Sequence, residues 1–547
     1  MIGAAFTWHA YRFTLASGFD LFPGPRGDTR LTAYLVEHLY QVALNRAHFL
    51  SPAMFYPVTG TLGYSDTNIL YAPPYSILRI MGLDIFHALA VTVVLFGYLN
   101  FLSCYVLLNR ILKCGVLASA TGALFFAFSN PKLAQPDHLQ LQPLFLLPVG
   151  IGLLLIFFRA PRHSSEGRAF VVLALAALAV DVQLLSAFYV GWFFLVWLVL
   201  LSALSLLVPD TRLIVLGALR DHRAAVIGGA IVFLVGLIPF AMVYLPAVNT
   251  VPWSGILPQY IAEPRSYLLL ADGNYVWGRV TEWMLRAAES GPDWGRRVGV
   301  GLTASLVWIG ASLNAVRTIL RHLRRPAAAG AAANEKPRTE LVHLIVALVI
   351  LATNLVVFAG LQYRGHTPWT VVYALVPGAK AIRAVARLSI VMALPMSIVF
   401  ALATQDALGY FAQRRGYARA VLSGVLLIAI TFGCLEQQTT GEGQYFSIGR
   451  ENERLNRLSA QLPDDCAAFY VTAAPQVDDP SFHDQNSMHD AMLIAVKRHV
   501  PTLNGRSGKN PPDWSLRDVD SADYEQNVAQ WIRRYQLTGK VCRLALE

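Results

Sequence analysis

The sequence predicts an α-helical polytopic membrane protein, a bundle of about 10–11 transmembrane helices carrying a small C-terminal α/β extracytoplasmic domain. Three observations predict it. Ten long apolar runs punctuate the chain, hydrophobic residues make up 55% of it against 14% charged, and the Lys/Arg content of successive loops alternates. A hydrocarbon core of about 30 Å takes about 20 apolar residues as helix, and in lipid only helices or closed barrels satisfy the backbone.

The runs cover residues 85–108, 114–129, 141–158, 169–185, 187–208, 225–247, 298–318, 341–361, 387–405 and 418–435. Basic residues gather in every second connection: Arg110 and Lys113; Arg159, Arg162 and Arg168; Arg212, Arg220 and Arg223; Arg317, Arg321, Arg324, Arg325, Lys336 and Arg338; Arg414, Arg415 and Arg419. The positive-inside rule assigns all five to the cytoplasm. The net charge of +10 is therefore a topology signal, and no nucleic-acid partner is expected. The partner is the lipid bilayer.

Three parts follow: residues 1–84 as an N-terminal segment and first extracytoplasmic loop, 85–436 as the bundle, and 437–547 as an exported soluble domain. The segments 130–140, 248–297 and 362–386 also fall outside. Residues 1–16 are apolar but too short to span and lack a cleavable-leader pattern, so they read as the end of a further helix. Residues 324–338 read as a flexible linker. Cys466 and Cys542 lie in strand-like runs of the exported domain, where a disulfide and two buried thiols are both compatible with the sequence. Cys104, Cys114 and Cys434 read as packing residues.

Residues 17–84 hold more than a connector needs. Pro23, Pro25 and Gly27 break any helix before Asp28, and the apolar series Leu31, Leu35, Leu39 and Val42 predicts an amphipathic helix just after it, lying along the membrane surface. Asp28 then occupies the helix start, as an N-cap or as a general base at the lipid–water boundary. Asp66, in GYSDTN, is a second acidic candidate, equally a turn former. Arg30, Glu37 and His38 are candidates for an acceptor site or pocket; solvated surface positions explain the Glu-His pair as well. No zinc-type spacing is present, and the sequence leaves open whether a divalent metal is used.

Lys380, Arg383 and Arg387 recur at helical spacing at the outer end of a membrane helix. Snorkelling accounts for such cations, but their outward position runs against the positive-inside bias and points to a phosphate or pyrophosphate ligand. Asp181 and Gln183 lie in a short break near the outer face, and Asp137, His138, Gln140 and Gln142 in another outward turn. Intramembrane polar groups are functional candidates by default, although helix–helix hydrogen bonds explain the glutamines equally. His138 is a further pocket candidate.

The stretches GDTRLTAYLVEH, SPAMFYPVTGTLGYSD, FFAFSNPKLAQPDHLQLQPLFLLP and PGAKAIRAVARLS together resemble the bacterial GT-C-type membrane glycosyltransferase-like proteins, broadly similar to protein O-mannosyltransferases and lipid A aminoarabinose transferases. The resemblance spans most of residues 20–405, and AMLIAVKRHVPTLNGRSGKNPPDW looks like the C-terminal part of the same group. It implies transfer from a polyprenyl-phosphate-linked sugar to an envelope lipid, glycan or protein at the outer face of a bacterial inner membrane. Asp28 matches the base, Arg383 and Arg387 with Lys380 behind them match the lipid-phosphate cations, and Asp66 takes the place of a second acidic residue. The Asp-Glu pair of the mannosyltransferases is not matched, because Thr29 follows Asp28. Without a nucleotide-binding strand–Gly-loop–helix motif or an evident covalent nucleophile, inversion at the anomeric carbon is expected. The alternatives are a transporter or flippase and a GT-C-fold subunit without catalysis.

Overall fold

The structure is a computed structural model that describes residues 2–160, 165–250, 255–287, 294–324, 338–441, 445–472 and 483–546. Arg162, Arg325, Lys336 and residues 325–337 of the expected linker lie outside them.

Among the described residues, nine helical segments are long and apolar enough to cross a membrane: Ile85–Ile111, Leu139–Phe158, Glu166–Ser186, Phe188–Leu207, Arg223–Val248, Leu302–His322, Glu340–Ala359, Val385–Ala412 and Gly416–Leu435. The chain is thus a multi-pass membrane protein. The run expected over 114–129 forms a helix only over Val116–Ala127. Its 12 residues rise about 18 Å, less than a full hydrocarbon core. It is nonetheless a crossing, because of what lies at the two ends of the bundle. Strand β1 (Leu21–Pro23), before the first span, pairs antiparallel with β2 (Tyr445–Ser447), after the last. Both ends therefore share one face, the crossings among the described residues are even in number, and the short helix is the tenth of them. Ten of its residues, Ala118 to Ala127, are buried, so its length is set by neighbouring helices and not by lipid.

Residues 2–16 form two short helices, Ile2–Ala10 and Arg12–Ala16. The first packs on the Ile85–Val106 helix, where a side chain at Gly3 would fall 2.6 Å from the Phe101 ring.

The first loop and the tail build one body. The helix Gly27–Ala43 does not lie exposed on the membrane surface as its apolar stripe suggests. Residues on all sides of it are buried, including Thr29, Arg30, Ala33, Val36, Glu37 and His38. The reason is a second covering layer: the helix His483–Arg498 of the tail packs over it. In the tail, β3 (Ala468–Thr472) and β4 (Val541–Ala545) pair in parallel, and Cys466 and Cys542 form a disulfide. The loop joins this unit through its backbone: Tyr56 N–H donates to Thr502 O at 2.9 Å, Thr502 N–H to Ala53 O at 3.0 Å, and the Trp531 indole to Tyr56 O at 2.9 Å. One hydrophobic core accordingly runs from Phe22, Tyr34 and Phe55 into Phe469, Met492 and Trp514.

The candidate active site

Asp28 is the second residue of the Gly27–Ala43 helix, not its cap; Arg26 holds the N-cap position. Proline and glycine before it let the helix start there, and a carboxylate in the first turn suits the free N–H groups. Its side chain stays 30% exposed. Asp28 Oδ2 lies 3.4 Å from His138 Nδ1, and the same nitrogen lies 3.5 Å from Asp137 Oδ1. On the other side, Arg506 Nε of the tail lies 4.0 Å from Asp28 Oδ1. Burial, aided by Arg387 and Arg383, drives the His138 pKa well below 6.5, so its ring is neutral at pH 7. Burial, with the Asp28 charge beside it, pushes Asp137 up to about 6, against the pull of Arg387.

Asp66 closes the cluster from the rest of the first loop. It is 9% exposed and accepts the Phe188 N–H at 2.7 Å, which places it at the start of the Phe188–Leu207 helix. Burial raises its pKa to about 6, while the Phe188 N–H, Arg387 and Arg383 oppose the rise. Arg383 and Arg387 are fixed by Tyr189: its hydroxyl accepts the Arg383 N–H at 2.9 Å, and its ring lies 5.3 Å under the Arg387 guanidinium.

The three cations do not share a helix face. Lys380 and Arg387 lie in separate 3₁₀ turns, Ala379–Ala381 and Val385–Arg387, with Arg383 in the extended link between them. Their i, i+3, i+7 spacing is coincidental, because Gly378, at φ 82°, turns the chain before any helix forms. Lys380 is exposed, and the Tyr189 anchor holds Arg383 and Arg387 without it.

Three expected pocket residues are engaged elsewhere. Arg30 is fully buried and paired with Glu451 at 2.9 Å and with Asp490. Glu37 accepts from the Tyr75 hydroxyl at 2.6 Å and Arg79 Nε at 2.8 Å. His38 Nε2 lies 3.1 Å from Phe49 O. All three tie the loop helix to its surroundings. Asp181 turns toward Gly236, where a side chain would fall 2.0 Å from its Oδ2, apart from the cluster.

Two cations near the cluster, and the closeness of Asp137 to Asp28, are not legible in the sequence. Arg506 and Lys509 come from the tail, where no periodicity marks them. The loop that carries them presses so close that a side chain at Gly508 would lie 2.7 Å from Tyr64 O and 3.5 Å from Arg383 Nη2. The ligand atoms of Asp28, Asp137 and His138 lie within 4.8 Å of one another, a donor set that suits a divalent cation. A separate cavity of about 300 Å³, lined by Asp210, His222, His322 and Glu340 among others, lies at the opposite end of the bundle.

No protein-family model matches the chain, and no curated protein matches it. Among solved structures, a variant of the arabinofuranosyltransferase AftD from Mycobacteria superposes with a TM-score of 0.51 at 15% identity, over 95% of this chain and 34% of that one. The oligosaccharyltransferase of Archaeoglobus fulgidus, in complex with Zn and sulfate, gives 0.48 at 11% identity over 92% and 62% of the two chains. ArnT from Cupriavidus metallidurans, bound to undecaprenyl phosphate, gives 0.42 at 11% over 91% and 85%. The chain thus spans about a third of AftD and under two thirds of the oligosaccharyltransferase. The likeness is one of architecture: the fold is the GT-C-type helical bundle.

Proposed function

We propose that the chain is a membrane glycosyltransferase that moves a sugar from a polyprenyl-phosphate donor to an envelope lipid, glycan or protein at the outer face of a bacterial inner membrane. The observation that carries this reading is the meeting of Asp28 with Asp137, His138 and the Arg383/Arg387 pair, residues from three distant parts of the chain. Such transfer needs a carboxylate for the acceptor hydroxyl's proton and positive charge where the phosphate leaves.

Asp28, partly open to solvent, is the base. Arg383 and Arg387 meet the phosphate, with Asp66 behind them to hold their orientation. His138, neutral between two carboxylates, orients Asp28. A single base without a covalent nucleophile gives inversion. Basic residues at the far ends of the spans and a disulfide in the tail support an outward-facing site.

The test is transfer from radiolabelled polyprenyl-phosphate sugars in membranes, comparing the unmodified protein with Asp28→Asn. Label reaching an acceptor with the first, and at least about 100-fold less with the second, is the expected result. Equal transfer by both removes Asp28 from the mechanism, and transfer by neither, with folded protein present, overturns the reading. A product that retains the donor's anomeric configuration rules out the one-step displacement.

A further inference from the structure

Among the described residues, three spans are thinly covered by the rest of the chain. Of their apolar windows, 11% is buried in Arg223–Val248, 11% in Leu302–His322 and 6% in Gly416–Leu435, against 33% or more in the other six. What the three turn outward differs. Beyond its terminal arginine, Arg223–Val248 exposes apolar positions alone, among them Ile227, Ile231, Leu234 and Ile238, as a face against lipid tails requires. Gly416–Leu435 adds the hydroxyls of Ser423 and Thr431, which a helix satisfies by turning them to the carbonyl one turn back. Leu302–His322 exposes a carboxamide, that of Asn314.

Asn314 is deep in its span. At 1.5 Å per residue it lies about 18 Å from the Leu302 end and about 12 Å from the His322 end, too far for so short a side chain to reach water. Among the described residues, nothing hydrogen-bonds to it. An amide has two N–H donors and a carbonyl acceptor, and lipid tails satisfy none of them. One turn earlier on the same side, Gly310 is exposed, and a side chain built there would meet nothing within 4 Å. Bare backbone next to a polar side chain is what close helix–helix packing in lipid uses.

The covering helix has to bring a donor and an acceptor to the depth of Asn314. A second copy of the chain brings both. Copies insert with one orientation, so a two-fold axis relating two of them runs along the membrane normal, and a residue beside that axis meets itself at its own depth. An amide is complementary to itself, its N–H donating to the other's carbonyl oxygen and the reverse. We infer that the Gly310/Asn314 face of Leu302–His322 is a dimer interface, in which Asn314 and the partner's Asn314 exchange hydrogen bonds. Arg317 and Arg321, exposed further along the helix, have stems long enough to carry their charges into the headgroup layer, where like charges are screened. The inference is independent of the transferase reading.

The experiment uses the full chain, labelled at its C-terminus with a donor or an acceptor fluorophore and reconstituted in vesicles of phosphatidylethanolamine and phosphatidylglycerol. Energy transfer between copies is followed as added lipid dilutes the protein, and it should fall along a monomer–dimer curve. Asn314→Leu should move that curve about 5–30-fold towards the monomer. Gly310→Leu, which puts a side chain into the seam, should move it in the same direction. Asn314→Gln, which keeps the amide, should recover part of the loss, and Ile231→Ala on the apolar span should leave the curve where it was. Asn314→Leu sets an apolar group against lipid, so the fold is not at stake, and thermal unfolding in detergent checks this for each variant.

Energy transfer no higher than random proximity gives, at every dilution, overturns the inference. A dimer that Asn314→Leu leaves intact also overturns it and moves the contact to another face. A different membrane protein that co-purifies with the unmodified chain and is released by Asn314→Leu, without energy transfer between copies, overturns the second copy as the occupant.

Discussion

Asp28 and Arg30 stand two residues apart on one helix and belong to different kinds of chemistry. Arg30 points into a dry ion network. It meets Glu451 and Asp490, which are held in turn by Arg454. Burial alone would raise the Asp490 pKa, but Arg30 and Arg454 outweigh it and hold it far below the usual range. Among the described residues, Asp28 has loose ionic neighbours, at 3.4 Å and 4.0 Å, and remains partly wet. A charge whose partners are all in place has no capacity left for a substrate. A charge with partners at arm's length has that capacity, and the helix presents both because successive residues face different directions.

The contrast is breakable by mutation. Asp490→Asn should cost the most stability, about 3–5 kcal/mol, since it leaves Arg30 buried with half its compensation. Thermal unfolding in detergent, with protease resistance of the tail, reads this, and a loss under about 1 kcal/mol would mean the network is not what holds the first loop and the tail together. Asp28→Asn, one helix face away, should change stability by less than about 1 kcal/mol while abolishing transfer.

Asp66 sharpens the comparison with a sign. Its pKa, raised to about 6, means the fold disfavours the charged form. Its contribution to stability is complete below the unfolded value of about 3.9 and is lost as pH rises through about 6. Asp66→Asn should therefore stabilise the protein at pH 7.5, by on the order of 2 kcal/mol, keep the Phe188 N–H bond, and lower transfer. Destabilisation at that pH would show that Asp66 serves the fold and not the site. The smallest effect belongs to Arg26, whose ion pair with Glu451 is 40% exposed on the arginine side. Arg26→Gln should cost less than about 1 kcal/mol, and a larger loss by the same unfolding measurement would mean that the network extends to the surface.

The bundle was legible because lipid imposes a simple rule on length and composition, and the spans lie close to the expected runs. The exception at Val116–Ala127 fails that rule because protein covers the helix. The loop helix was legible in place but not in setting. Its apolar stripe announces one buried face, whereas the second is made by Glu451 and Asp490, hundreds of residues later, with no local trace in the sequence. The same distance hides Arg506 and Lys509, and it explains why Arg30 read as a site residue, whereas Glu37 and His38 find Tyr75, Arg79 and Phe49 within their own loop. Chemistry-bearing types in a long loop look alike until their partners are known. The Cys466–Cys542 pairing was open for a related reason: two strand-like runs do not say that they are neighbours, and the parallel register of β3 and β4 does.

The pairing of β1 with β2 bears on how the molecule is made. Phe22 stacks on Phe446 at 5.1 Å, so the segment before the first span waits for the segment after the last one to be made. At roughly 5–20 residues per second that interval is on the order of tens of seconds. Through it, Phe22, Phe55 and Tyr64 lack the surface that later covers them. A ribosome stalled within the last helices would leave a product with every earlier span inserted and no finished core between the first loop and the tail, and such a product is a substrate for surveillance in the water beside the membrane, not in the lipid.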